Sequence, residues 1–474
     1  MITAYTTDVE FHSGRTRSAP LTWGQEMIWD LIRDRDDTRT YAVLTRWMPI
    51  PLLLSVGDVL ESLGELLRRH EALRTMYHPT ATGDGVQEVL GSGTLPVEMF
   101  DRPADDPTDY TSIITDCLVR ASEAGFDHEK ELPIRFSVIL QDGIPILLAF
   151  AVSHLSADFT SAELLVAELG AMLQARADGR GWPPPRQARQ PADLAAMEAR
   201  PEGQLRNVEA ARFIRQQLAR AHPDMLPARA TPATPRFFRG QLESSAVAVA
   251  VGPAARRYRT STSVLLLAVT SALMRCVTRA RACPIDLMLS NRADPALAGT
   301  VCNLSQGILT VIDLTPDSFA GLVARCAEIT AEARKYGWHR KRVVQGILDT
   351  AGADRGCQFN DIWSQLPGRP SRPSATVTEL RAMTGSTSFS WPEQAPEKGK
   401  DVFMGVRGTA ERMHLSLFAD TALLPPGDIR AFLDTFERTA IELAYADVPL
   451  EQIAGWFAEA SARYAHLNDG ADPR

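Results

Sequence analysis

Two rhythms of hydrophobic and polar positions run along this chain. Over Val56 to His70, apolar residues recur at Val59, Leu60, Leu63, Leu66 and Leu67, which predicts a helix with one buried face. The same spacing predicts helices over Thr111–Ala124, Ser263–Arg279, Ser318–Tyr336 and Ile429–Tyr445. Leu21 to Leu31 reads as a helix start capped by Thr22, with Met27, Ile28 and Leu31 facing inward. A helix from Ala192 to Ala219 is interrupted near Pro201. Short apolar or alternating runs predict strands at Val86–Leu90, Pro96–Phe100, Phe136–Gln141, Ala246–Val251, Gln358–Ile362 and His414–Asp420. Asp142-Gly143 marks a tight hairpin turn.

One run stands apart. Ile146 to Val152 is seven apolar residues, the pattern of a strand buried on both faces. Ser153 and His154 follow it at once, then Asp158, and then a helical stripe through Leu164, Leu165, Leu169, Met172 and Leu173. Thr160 and Glu163 have the spacing of a capping box for that helix, with Ser161 in its first turn. His154 and Asp158 therefore sit on a short strand-to-helix connection, aimed by rigid elements on both sides. A lone His after a strand is more often structural than catalytic, so the rest of the chain decides its meaning.

The chain has 474 residues, enough for two domains of ordinary size. Its net charge of −8 gives no electrostatic basis for nucleic-acid binding. The six cysteines lie far apart without Cys-x-x-Cys spacing, so neither a metal site nor a disulfide framework is expected. Residues 1–20 lack the apolar run of a signal peptide, and no stretch is long enough to cross a bilayer. A cytoplasmic protein without membrane association is the expectation. The breaker cluster at Gly179–Pro185 opens a Pro-rich crossover. The expected domains are an N-terminal lobe over 1–178, a crossover over 179–240 and a C-terminal lobe over 241–474.

Four motifs then occur in order: Thr22-x-x-Gln25-x-x-x-Trp29, Arg69-His-Glu-x-Leu-Arg-Thr75, Phe126-Asp127 with Leu132-Pro133, and Ser153-His-x-x-x-Asp158. Together they resemble the condensation domains of nonribosomal peptide synthetases, and the likeness extends over nearly the whole chain. It implies an α/β (α+β) fold of two chloramphenicol-acetyltransferase-like lobes forming a V. It also implies a free-standing, monomeric acyltransferase that passes an acyl or aminoacyl group from a carrier-protein thioester to an amine. The partners would be an acyl or peptidyl carrier protein in trans and an acceptor amine or second carrier. No cofactor would be held permanently; the carrier's phosphopantetheine is the substrate arm.

The resemblance assigns the catalytic role to His154, as base or positioning group. It makes Asp158 a structural anion paired with Arg292, which matches an Arg ending a strand of the second half, with Ser153 as support. Phe159, Asn303, Gln306 and Trp391 become lining candidates. Two departures matter. The family usually reads His-His-x-x-x-Asp-Gly; here Ser153 replaces the first His and Phe159 replaces the Gly. These favour another reading to be weighed, an inactive module that binds a carrier or recruits a tailoring enzyme; an ester-forming transferase acting on a hydroxyl is a further alternative. Arg176, Arg180, Arg186 and Arg189 form a basic tract, either a solvated linker or a docking face for an acidic carrier.

Overall fold

The computed structural model describes residues 2–14, 16–34, 42–221, 226, 228–351, 356–366, 375–396 and 400–469. The Pro-rich crossover expected over 179–240 lies partly outside them. The chain forms two compact units: residues 1–206 with 290–305, and residues 207–289 with 306–474.

In the first unit the strands are β1 (Thr3–His12), β2 (Arg17–Pro20), β3 (Val43–Pro49), β4 (Thr75–Pro79), β5 (Gly85–Val89), β6 (Ser92–Arg102), β7 (Ile134–Gln141) and β8 (Ile144–Ser153). Its helices are α1 (Trp23–Asp34), α2 (Val56–Arg69), α3 (Tyr110–Glu123), α4 (Phe159–Ala177) and α5 (Pro191–Glu198); α6 (Pro201–Leu218) begins here and continues into the second unit. A five-stranded sheet runs in the order β1-β6-β7-β8-β3, and a three-stranded sheet β2-β5-β4 stands beside it. β6 and β7 are parallel; the other neighbours in the large sheet are antiparallel. Asp142 and Gly143 both take positive φ (50° and 79°), the backbone of the two-residue turn that joins β7 to β8. Val59, Leu63, Leu66 and Leu67 of α2 and Leu165, Leu169, Met172 and Leu173 of α4 share one core with Phe136, Val138 and Phe150 of the sheet. In α1, Ile28 is buried as expected, but Leu31 is 39% exposed and Trp29 takes its place inside.

The second unit holds β9 (Phe237–Ser244), β10 (Ala282–Leu289), β11 (Gln306–Asp313), β12 (Cys357–Asp361), β13 (Ser388–Ala395), β14 (Val402–Gly408) and β15 (Met413–Asp420). They form one seven-stranded sheet, β11-β10-β12-β14-β15-β9-β13. Its helices are α7 (Ser245–Arg257), α8 (Thr262–Thr278), α9 (Phe319–Tyr336), α10 (Lys341–Thr350), α11 (Val377–Met383), α12 (Pro426–Leu443) and α13 (Leu450–Arg463). One expectation is overturned: Ala246–Val251 is helical, not a strand. Its Ala/Val alternation imitates strand patterning, yet Ala246, Val247, Ala250, Val251, Ala254 and Ala255 are the buried positions, a helical spacing. Ser244 fixes the start by accepting a hydrogen bond from the Val247 N–H, and the strand lies just before, at Phe237–Ser244. Among the described residues, no single helix is long and apolar enough to cross a membrane.

Candidate functional site

The connection after β8 is a tight turn. Ser156 and Ala157 both donate backbone hydrogen bonds to the Ser153 carbonyl at 3.0 Å, and the His154 N–H donates to Ala42 O on the neighbouring chain segment at 2.6 Å. His154 is half-buried, and its Nδ1 lies 2.9 Å from the Ala157 carbonyl. A carbonyl can only accept, so Nδ1 carries the hydrogen and Nε2 of the neutral ring keeps its lone pair. The turn thus fixes both the tautomer and the direction of the imidazole.

α4 begins at once. Its cap is not the Thr160/Glu163 box: Asp158 is the N-cap, and its Oδ1 accepts from the Ser161 N–H at 2.8 Å. Glu163 instead pairs with Arg46 at 2.7 Å.

Asp158 is also the hub of the second anchor. Arg292 Nη1 donates to Oδ2 at 2.5 Å and Nη2 to Oδ1 at 2.9 Å, a bidentate pair, while the Leu304 N–H and the Ser305 hydroxyl each donate to Oδ2 at 3.1 Å. The pair is interior, with side chains only 1% and 7% exposed. Burial alone would raise the Asp158 pKa, but Arg292 and the N–H donors outweigh it, and the carboxyl is held below its usual range. Ser161, expected only as a first-turn residue, completes the anchor. Its hydroxyl donates to Cys302 O at 2.8 Å and accepts from Cys302 N at 3.1 Å and Arg292 Nη2 at 2.8 Å. Segment 290–305 is thereby stitched to the start of α4, although it is more than 130 residues distant in sequence. The same segment lies against α1: Asn303 Nδ2 donates to Gly24 O at 3.0 Å, and a Cβ on Gly24 would stand 2.0 Å from Asn303 O. Only glycine permits that approach.

Below the turn lies a polar floor that sequence reasoning missed. His128 Nε2 is 2.7 Å from the Ser153 hydroxyl, and its ring meets the edge of Tyr77. The Tyr77 hydroxyl is 2.7 Å from Ser156 Oγ and accepts from Gln25 Nε2 at 3.2 Å. Tyr77 and Ser156 are fully buried. The one signal that could have revealed His128 is its place beside Phe126-Asp127, a pair already singled out. Thr22 and Gln25 form a reciprocal cap at the start of α1, which explains that motif.

The Arg69–Thr75 motif builds scaffold. Arg69 reaches Glu65 and Glu168 at 2.8 Å and Pro183 O at 2.7 Å, and His70 Nε2 lies 2.9 Å from Glu168. Burial opposes the Glu168 charge, yet His70 and Arg69 hold its pKa down to about 2. Glu71 pairs with Arg17 at 2.5 Å, and the Thr75 hydroxyl donates back to Glu71 O.

Each remaining candidate has contacts of its own. Phe159 opens α4 with the Arg46 guanidinium 4.8 Å from its ring centroid. Both polar atoms of Asn303 are used inside the first unit, by Gly24 O and Ser305 N. Gln306, in the second unit, bonds both backbone groups of His339. Trp391 packs edge-on against Phe238 and Phe389. In the basic tract, Arg176 is held by Asp58 and Glu61 and Arg180 by Asp178, while Arg186 and Arg189 are exposed. Burial pushes the Cys302, Cys326 and Cys357 thiols up to about 12, which makes them poor nucleophiles. Among the described residues, no group of three or more His, Cys, Asp or Glu could hold a metal ion.

A family model described as "Condensation domain" matches residues 17–337. The phosphinothricin tripeptide synthetase PhsC of Streptomyces viridochromogenes is 26% identical over 350 residues, 73% of this chain and 32% of that protein. The chain spans between 2% and 32% of the length of the curated relatives it matches. Two solved structures share the fold. The first condensation domain of the calcium-dependent antibiotic synthetase, in complex with a substrate analogue, superposes with a TM-score of 0.66 at 16% identity, covering 92% of this chain and 98% of that one. The X-domain from teicoplanin biosynthesis superposes with a TM-score of 0.62 at 20% identity, covering 92% and 95%.

Proposed function

From a chain that belongs to the condensation-domain family, we infer an acyltransferase that makes an amide from a carrier-bound thioester and an amine in natural-product biosynthesis. The observation that carries this reading is His154: a half-buried imidazole with Nδ1 committed to Ala157 O and Nε2 left as a base. In the reaction the amine nitrogen bonds to the thioester carbonyl carbon and loses a proton to Nε2. The C–S bond then breaks, and the phosphopantetheine sulfur leaves with that proton. A general base worth roughly 10²–10⁴ in rate must hold its position, and the Asp158–Arg292 anchor and the Ser153–His128 and Ser156–Tyr77 contacts supply that rigidity. Asp158 is a positioning residue: all its acceptor capacity is spent on Arg292, Ser161, Leu304 and Ser305. Phe159 belongs to the same proposal as a wall that limits the acceptor, because its ring, which opens α4 five residues after His154, is held by Arg46. A hydroxyl acceptor would give an ester by the same steps.

The second reading, a module that recruits a tailoring enzyme to a carrier-bound peptide, draws on the same Phe159 and on Ser153 in place of a histidine. Intact-mass spectrometry of donor and acceptor carriers, supplied as separate proteins, distinguishes the two. Movement of the acyl mass from donor to acceptor that requires His154 supports the transferase acting in trans. Carrier binding without transfer, unchanged in His154→Ala, supports recruitment.

A further inference from the structure

Among the described residues, one cavity is lined by side chains of the second unit. It measures about 850 Å³ and lies among α8, α13, the approach to β10 and the chain around Arg229. That is within the range of small-molecule sites, roughly 300–1,000 Å³. Its charge is one-sided. Arg229, Arg275, Arg279 and Arg281 line it, and Glu451 is the single acidic side chain among the lining residues.

Helix chemistry explains part of this. Arg275 lies in the last turn of α8 and Arg279 is its C-cap, where cations complement the negative end of the helix dipole. It does not explain Arg229, which arrives on a separate segment, while Arg281 follows the C-cap by two residues, just before β10. Two of the four are held in place: Arg275 Nη1 donates to Pro316 O at 2.8 Å, and Arg229 pairs with the buried Asp428 at 3.2 Å. Asp428 in turn accepts from the hydroxyl of Ser461, another lining residue. The other two are exposed and make no ion pair or hydrogen bond through their guanidinium groups among the described residues. Arg279 also sits at φ 55°, left-handed backbone that favours glycine or asparagine, so a cation is kept at the rim against a local backbone cost. From α13 the exposed Ala454 and Ala458 supply apolar surface to the lining, with Glu451 one turn before them. Guanidinium groups match the forked geometry of phosphate and carboxylate oxygens, and converging like charges strengthen the local field for an anion.

We propose that this cavity binds a small organic anion, a phosphate or carboxylate head on an apolar body, with the head held by Arg279 and Arg281 and the body against the Ala454–Ala458 face. Its lining residues belong to the second unit and His154 to the first.

The test is calorimetric titration of the full chain with octyl phosphate, octanoate and pyrophosphate. Octyl phosphate or octanoate should bind more tightly than pyrophosphate, and the tighter of the two identifies the head group. The double variant Arg279→Ala/Arg281→Ala should weaken binding at least about tenfold with an unchanged melting temperature in the absence of probe. Ala458→Trp fills the cavity and leaves the arginines in place; it should cost the alkyl probes their advantage over pyrophosphate. Absence of binding by all three probes up to about 5 mM would overturn the proposal. So would binding that neither variant alters.

Discussion

Replacing Asp158 by alanine tests the load on the anchor. The change strands the Arg292 guanidinium, whose side chain is 7% exposed, and leaves the Ser161 and Leu304 N–H groups without their acceptor. Breaking a buried ion pair by removing one partner costs about 3–5 kcal/mol, and losing the N-cap of α4 costs about 1 kcal/mol. These contributions overlap at one residue, so the expected loss is about 4 kcal/mol. For a unit of this size that lowers the melting temperature by roughly 8–16 °C. His154→Ala loses one side-chain hydrogen bond, worth about 1 kcal/mol, and should shift melting by only roughly 2–4 °C. The assay is thermal unfolding of both variants beside the transfer rate: Asp158→Ala falls steeply in both, His154→Ala in rate with only that small shift in melting. Asp158→Leu combined with Arg292→Met should recover much of the lost stability, because no charge is then stranded. Equal melting temperatures for Asp158→Ala and His154→Ala would refute the reasoning.

Gly24→Ala places a methyl 2.0 Å from Asn303 O, and the backbone must shift to admit it; urea unfolding should show a loss of about 1–3 kcal/mol. Glu168 has a pKa of about 2 in the folded chain against an ordinary value of 4.5. Its contribution is therefore fully present above pH 4.5 and is lost as pH falls toward 2, with Asp158, also depressed, acting in the same direction. Glu168→Gln should flatten stability over that window when unfolding is followed against pH. Phe159→Ala removes the ring beneath Arg46, worth about 0.5–1 kcal/mol, and should raise kcat/KM for bulky acceptors relative to small ones in a competition assay.

Much of this arrangement could be read before any coordinates. The apolar run of β8, the polar turn and the amphipathic helix after it announce themselves through local patterning, as does the Asp142-Gly143 hairpin. What patterning cannot supply is long-range pairing. Arg292 lies 134 residues from Asp158 and was reached only through the family resemblance. The Ser161–Cys302 bonds and the Asn303–Gly24 contact were not reached at all, because nothing local distinguishes a serine that ties segments together from one that merely starts a helix. The Thr160/Glu163 cap failed for a related reason: an Asp two positions earlier starts the helix there, accepting from the Ser161 N–H, and also serves Arg292. The strand expected at Ala246–Val251 failed because alternating Ala and Val fits either period, and the Ser244 cap decided for helix.

The most direct test of the central claim is the single-turnover rate of acyl transfer between carriers for wild type and for His154→Ala of near-native melting temperature. The account expects the variant to be slower by roughly 10²–10⁴ with carrier binding unchanged. Equal rates, or no transfer by wild type from any donor that binds, would contradict it.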